Sequence, residues 1–193
     1  MKIKWKITFN SAAVLGFSLI CLIATLLGIA TKGALTEKFF MTYHSRWTDP
    51  LTYLRFVTHV FGHASWEHFI ANVSYILLLG PLLEEKYGTK TLIQMIAITA
   101  VITAVINYIF FPHIALCGSS GVVFAFILLA SFTSFRQGEI PLTFILVAVI
   151  YLGYQVAQGL TVKDNISNMA HIIGGIVGAV IGYLLNQKKG KSY

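Results

Sequence analysis

Polar side chains capable of chemistry interrupt the apolar sequence at three places. They are His63, His68 and Asn72 in the first, Ser119 and Ser120 in the second, and His171 in the third. A serine, an imidazole and an amide donor are the groups that acyl transfer uses as nucleophile, general base and oxyanion stabiliser. The three places therefore predict an acyl-transfer site if the fold brings them together.

Each of these residues also has a purely structural interpretation. A serine at a glycine-rich helix start, such as Ser120, is more often a helix cap or a small packing residue than a nucleophile. His68 and Asn72 are four residues apart and share a helix face, where a polar pair can bond a neighbouring helix. His171 could be a buried histidine that a carbonyl satisfies. Only the set as a whole favours catalysis.

The composition places these residues in a membrane protein. The chain has 193 residues, of which 56% are hydrophobic and 11% are charged, whereas soluble domains have about 25% charged residues. The net charge of +7 comes from Lys and Arg in short clusters between apolar runs. That pattern favours a lipid bilayer as partner and argues against nucleic acid. Two cysteines are too few for a disulfide framework.

Six uncharged or nearly uncharged stretches are long enough to cross a bilayer as helices. They cover about residues 11–30, 63–83, 91–110, 119–135, 140–160 and 167–186. The 45 residues from 91 to 135 carry no charge, and they break into two helices at residues 111–113 and at Gly118. We therefore expect an all-α fold in which residues 1–193 form one six-helix transmembrane bundle.

The distribution of Lys and Arg orients this bundle. Nine of these residues flank the spans on the side of both termini, and five lie on the other side. Positive charge accumulates on the cytoplasmic side, so we expect a multi-pass cell-membrane protein with both termini in the cytoplasm. The loop of residues 31–62 is then external, and its many aromatic residues predict packing at the outer membrane interface.

This topology places the polar residues at one depth, because the second, fourth and sixth spans all begin at the outer face. Polar residues in lipid usually face the bundle interior and mark a functional site. Gly174 and Gly178 form a G-x-x-x-G pattern, which indicates that the sixth helix packs closely on another helix. Packing on the fourth helix at Gly121 would bring Ser120 and His171 together.

Three sequence motifs contain these residues. Residues 118–121 match G-x-S-G, residues 170–178 match A-H-x-x-G-x-x-x-G, and residues 63–72 match H-x-x-x-x-H-x-x-x-N. In this order and in these spans, the motifs resemble those of the rhomboid family of intramembrane serine proteases. Arg55 resembles the arginine of the family's W-R segment, and Glu84 is similar to the acid that closes its second helix.

The resemblance implies a role for each residue of the site. Ser120 is the nucleophile and His171 is the general base, without an obvious third member. The backbone N–H of Ser120 and the side chains of His68 and Asn72 hold the oxyanion. Phe124 stands where many relatives have a Tyr that stacks on the histidine, and Phe keeps the ring. The supporting residues are His63, Gly118, Gly121, Phe124, Gly174 and Gly178. No metal or cofactor is implied.

Cys117 and Ser119 are the other possible nucleophiles at this position. Cys117 lies in the loop, where no helix N-terminus lowers its pKa. One step along a helix rotates a side chain by about 100°, so only one of the two serines faces His171. The G-x-S-G match and the ring of Phe124 four residues later favour Ser120. Ser119 is then the variable position of the motif, and its hydroxyl could help to retain the hydrolytic water.

The resemblance also implies the substrate. It is a transmembrane segment of another protein, with helix-breaking residues near the cleavage point and a small residue before it. Helical substrates hide their carbonyls in hydrogen bonds and lipid excludes water, so the site needs a hydrated cavity near the outer face. We expect substrates to enter past the fifth span and residues 159–165.

Two other functions remain open from the sequence. An inactive rhomboid-like protein would bind membrane helices without cleaving them, but it would normally lack the nucleophile or the base, and Ser120 and His171 are present. A metal transporter would use His171 together with His59, His63 and His68. The last two are about 140° apart around a helix, which is poor for joint chelation, and no carboxylate completes the set.

Overall fold

The structure is a computed structural model that describes residues 8–132, 140, 142–161 and 168–189. Within these residues the chain forms helices and no strand, which confirms the predicted all-α fold. The helices are α1 (Ala12–Ala30), α2 (Ala34–Phe39), α3 (Pro50–Thr58), α4 (Trp66–Tyr87), α5 (Thr89–Phe110), α6 (Ser120–Ser131), α7 (Leu142–Thr161) and α8 (Asn168–Lys189).

A helix lies in each of the six stretches that we expect to span the membrane. Of these, α1, α4 and α5 are long and apolar enough to cross a bilayer. The helix α6 and the apolar part of α8, Met169–Leu185, are shorter. The number of crossings therefore stays a prediction.

Several predicted spans differ in their bounds from the helices, among them the second and the fourth. The helix α4 begins at Trp66 and not at residue 63, because the Ser65 hydroxyl accepts the N–H of His68 (3.1 Å) and caps the helix there. His63 consequently lies in the preceding loop. The predicted fourth span reaches residue 135, whereas α6 ends at Ser131. Residues 133–139 lie outside the described part, as do residues 162–165 of the expected entry path.

Two short helices organise the loop of residues 31–62. Asp49 caps α3 by accepting a backbone N–H of its first turn (2.9 Å). Arg55 of α3 is buried, and its Nε donates to the carbonyl of Lys38 in α2 (2.9 Å). Its guanidinium also lies 4.6 Å from the ring centroid of Tyr43. These contacts make the loop a packed unit and not a plain connector.

Aromatic rings anchor the same loop to α5. The ring of Tyr108 in α5 lies 4.5 Å from that of Trp47 and 5.4 Å from that of Phe56. The Tyr108 hydroxyl also donates a hydrogen bond to the carbonyl of Ser45. The loop is therefore fixed relative to the helices on which it packs.

Helix α6 lies at the centre of the bundle, and all its residues from 121 to 129 are buried. Helix α8 packs against it through glycines. A Cβ at Gly174 would overlap the carbonyl oxygen of Gly121, and a Cβ at Gly178 would overlap that of Ala125. Two backbones approach this closely only where side chains are absent. The contact fixes the height of α8 relative to α6.

The carboxylate of Glu84 joins three helices at the C-terminal end of α4. Its two oxygens accept the N–H groups of Ala13 and Val14 in the first turn of α1, each at 3.1 Å. One oxygen also accepts the hydroxyl of Thr89 in α5 (2.7 Å). The N-cap residue of α1, Ser11, makes no side-chain cap bond. Glu84 therefore caps α1 from another helix, satisfying N–H groups that have no intrahelical partner.

Candidate active site

A fixed turn leads into α6. Gly118 has a φ of +122°, which residues with a side chain rarely adopt. Its N–H donates to the carbonyl of His59 (2.9 Å), and nearby Leu116 exchanges backbone hydrogen bonds with Thr42. A Cβ at Gly118 would also lie 2.6 Å from Cε1 of His68. Both the turn and the close approach of His68 therefore require glycine at this position.

His68 and Asn72 lie on α4 beside this turn. The His68 ring contacts the backbone of Gly118, two residues before Ser120. Asn72 lies one turn further along α4 and is buried, and its amide donates one hydrogen to the carbonyl of His68 (3.0 Å). An amide nitrogen carries two hydrogens, so this bond leaves the second for another acceptor.

The first turns of α6 also face α8. The imidazole of His171 stacks on the ring of Phe124, with centroids 4.6 Å apart and planes at 9°. Phe124 follows Ser120 by one helical turn, so the two side chains leave the same face of α6. A Cβ at Gly121 would lie 3.4 Å from the carbonyl oxygen of Ala170. The His171 segment of α8 therefore lies against the face of α6 that carries Ser120.

The two adjacent serines have different surroundings. Ser120 is partly exposed, whereas Ser119 is 0% exposed. The hydroxyl of Ser119 lies 3.2 Å from Nε2 of His63, which is a hydrogen-bond distance. Of the two serines, only Ser120 therefore has accessible surface.

His63 is the centre of a second polar group. Its Nδ1 lies 3.4 Å from the hydroxyl of Thr25 in α1, and its ring packs edge-on against that of His68 with centroids 5.2 Å apart. Burial lowers the pKa of His63 to about 4, and the nearby His68 contributes less. At neutral pH His63 is therefore a neutral imidazole, with one nitrogen donating and the other accepting. A cavity of about 770 Å³ borders this residue.

The thiol of Cys117 is unsuited to attack. Burial raises its pKa to about 12. The thiolate is the nucleophilic form, and almost none is present at neutral pH. The sequence alone gives a different reason against Cys117, that no helix N-terminus lies there to lower its pKa. Burial adds to that reason.

Sequence reasoning missed two residues that hold the site together. His59, considered only as a metal ligand, is buried and donates from Nε2 to the carbonyl of Ala100 in α5 (3.1 Å), while its own carbonyl holds Gly118. The available signal for His59 was its polar side chain among the aromatic residues of the loop of residues 31–62. Thr25 had no signal, because hydroxyls are common in apolar helices. Within the described residues, no three His, Cys, Asp or Glu side chains are grouped to bind a metal ion.

Comparison with known proteins identifies the family of the chain. The rhomboid domain model matches residues 50–188, which is more than half of the chain. The chain belongs to the rhomboid family. It is 26% identical over 134 residues to the rhomboid protease GlpG of Haemophilus influenzae, a match that covers 67% of this chain and 68% of that protein.

Two further relatives extend the comparison. The rhomboid protease GlpG of Yersinia pestis (strain Pestoides F) is 30% identical over 135 residues, covering 67% of this chain and 47% of that protein. YdcA of Bacillus subtilis (strain 168) is 26% identical over 182 residues, covering 86% of this chain and 89% of that protein. The chain thus spans most of YdcA and about half of the Yersinia protein. Family membership makes it a multi-pass membrane protein and a rhomboid-type serine protease.

Proposed function

We propose that the chain cleaves transmembrane segments of other membrane proteins with a dyad of Ser120 and His171. The observation that supports this most is the stack of the His171 imidazole on Phe124, beside the partly exposed Ser120. The stack gives the base a fixed ring plane. In a Ser-His-Asp triad a carboxylate holds the imidazole, and here ring packing takes that role.

The proposed reaction has two stages. In the first, His171 takes the hydroxyl proton while Ser120 attacks the substrate carbonyl, and it then gives that proton to the leaving amine. An ester between Ser120 and the substrate remains. In the second, His171 takes a proton from water, the resulting hydroxide attacks the ester, and the proton returns to Ser120 as the acid leaves.

Each stage passes through a tetrahedral oxyanion that needs preorganised donors. The proposed donors are the backbone N–H of Ser120 and the side chains of His68 and Asn72. The first N–H groups of α6 have no intrahelical acceptor, and Ser119 makes no side-chain cap bond to them. The contact of His68 with Gly118 brings its ring close to the same helix start.

Hydrolysis in a membrane also needs a supply of water. The cavity of about 770 Å³ beside His63 has Lys32 and Glu37 among its lining residues, so its wall includes charged side chains. We take this cavity as the proposed source of the hydrolytic water. His63, a supporting residue by the family resemblance, then contributes by lining this cavity.

The proposal places the site near the outer face of the cell membrane, with both termini in the cytoplasm. The expected substrates are single-span proteins with helix-breaking residues near the cleaved bond and a small residue before it. A reporter fused after Tyr193 should therefore report a cytoplasmic location. A cysteine at position 120 should react with a membrane-impermeant thiol reagent added from outside. An external C-terminus would contradict this topology.

Covalent labelling of the detergent-solubilised protein by a fluorophosphonate tests the proposed nucleophile. The reagent should label the wild type and Ser119→Ala but not Ser120→Ala, and cleavage of a model transmembrane substrate should follow labelling. A wild type that binds the substrate but neither reacts nor cleaves would favour an inactive helix-binding protein. Cleavage by purified Ser120→Ala, free of host proteases, would overturn the dyad.

A further inference from the structure

We infer that Ser119 is a positioning residue, whose buried hydroxyl acts through His63 to hold the oxyanion donors in place. The inference rests on the proposed function and extends it to a residue that does not touch the substrate. Three observations support it: the bonding of the Ser119 side chain, the orientation of the peptide group that follows, and the packing of His63 on His68.

A serine at a helix start usually caps the helix with its hydroxyl, but the Ser119 side chain does not. Such a hydroxyl normally accepts an N–H from the second or third residue of its own helix. Ser119 occupies the N-cap position of α6 but makes no side-chain cap bond. Its hydroxyl bonds Nε2 of His63 instead, at 3.2 Å and fully buried. The side chain thus leaves the first N–H groups of α6 available to an anion.

The bond to His63 also orients one particular peptide group. The carbonyl of Ser119 accepts the N–H of Val123 (2.9 Å), so backbone and side chain of Ser119 are both held. A peptide group is planar and trans, so the N–H of Ser120 points away from that carbonyl. Fixing Ser119 therefore fixes the direction of the Ser120 N–H, which is the first proposed oxyanion donor.

The same bond supports the second donor, His68. The His63 ring is held between Ser119 at Nε2 and Thr25 at Nδ1. The His68 ring lies edge-on to His63 and touches Gly118, next to Ser119 in the chain. The His68 ring is therefore confined between the His63 ring and the turn at Gly118. The hydrogen bond of the Ser119 hydroxyl to His63 connects these two.

Steady-state kinetics of Ser119→Ala, normalised to the fluorophosphonate-labelled fraction, test this role. We expect kcat to fall about threefold to tenfold, as for loss of one buried hydrogen bond. KM should stay within about twofold, because the oxyanion exists only during the reaction. Thr25→Val removes the hydroxyl at the other nitrogen of His63 and should lower kcat in the same way. Ser18→Ala is the matched control, because it removes a buried α1 hydroxyl without a hydrogen-bond partner, and kcat should not change.

A double-mutant cycle shows whether the effect passes through His63. In a His63→Ala background, Ser119→Ala should change kcat by less than about twofold, since its partner is gone. An equal loss in both backgrounds would overturn the inference, as would wild-type kcat in both Ser119→Ala and Thr25→Val. Neither outcome affects the dyad, whose failure would appear separately as cleavage by Ser120→Ala.

Discussion

The start of α6 has two sides, and different forces hold the groups on each. On the α8 side, His171 is placed by ring stacking on Phe124 and by backbone contact at Gly174 and Gly178. On the α4 side, hydrogen bonds to hydroxyls orient His63, and His68 packs against it. Packing sets how far apart two helices lie, whereas a hydrogen bond sets a direction. The proposed base thus depends on close packing and the proposed oxyanion donors on bond direction.

The largest effect should come from removing the base. His171→Ala should lower cleavage of a model transmembrane substrate by at least about 10³-fold, because no other group then takes the serine proton. His113→Ala, at an exposed loop histidine, is the control and should cleave normally. Activity of His171→Ala within tenfold of wild type would mean that another residue is the base.

Removing a proposed oxyanion donor should have the next largest effect. His68→Ala and Asn72→Ala should each lower kcat by about 10²-fold to 10³-fold with little change in KM, as for loss of one oxyanion donor elsewhere. Separate measurement of kcat and KM checks this. A rise in KM alone would make the residue a substrate-binding group.

A methyl group on α8 should have a smaller effect. Gly178→Ala forces α8 away from the backbone of Ala125, and a shift of about 1 Å can cost up to 10²-fold. We expect kcat to fall about tenfold or more. Gly16→Ala in α1 is the control, because a Cβ at Gly16 would meet no atom within 4 Å. Equal activities in the two variants would remove packing as the force that places His171.

Loss of the stacking ring should have the smallest effect of the series. Phe124→Leu should lower kcat about threefold to tenfold, the equivalent of one aromatic contact. Phe124→Tyr keeps the ring and should remain close to wild type. If Leu proves as active as Phe, the helix contact alone suffices to orient the base.

The helices were largely predictable from the sequence, because a chain in lipid must satisfy its backbone within each apolar run. The uncharged run of residues 91–135 illustrates this, since its turn signals lie between the end of α5 at Phe110 and the start of α6 at Ser120. The start of α4 was less predictable. It depends on the hydroxyl of Ser65, and a serine is equally common in loops.

Contacts between distant residues account for what the sequence did not predict. The bond between Ser119 and His63 joins residues 56 positions apart, and that between Glu84 and Ala13 joins residues 71 apart. Neither follows from a periodic pattern. The G-x-S-G motif does not indicate a role for Ser119 either, because its x position accepts any residue. Only the buried hydrogen bond to His63 indicates one.

The cap that Glu84 provides has a consequence for biosynthesis. A ribosome completes the whole of α1 before it reaches the codon for residue 84, so the first turn of α1 is made about 70 residues ahead of its acceptor. Until then, water or lipid headgroups must satisfy the N–H groups of Ala13 and Val14. The first turn of nascent α1 therefore remains without its cap until Glu84, in the last turn of α4, has emerged from the ribosome and can accept these two N–H groups.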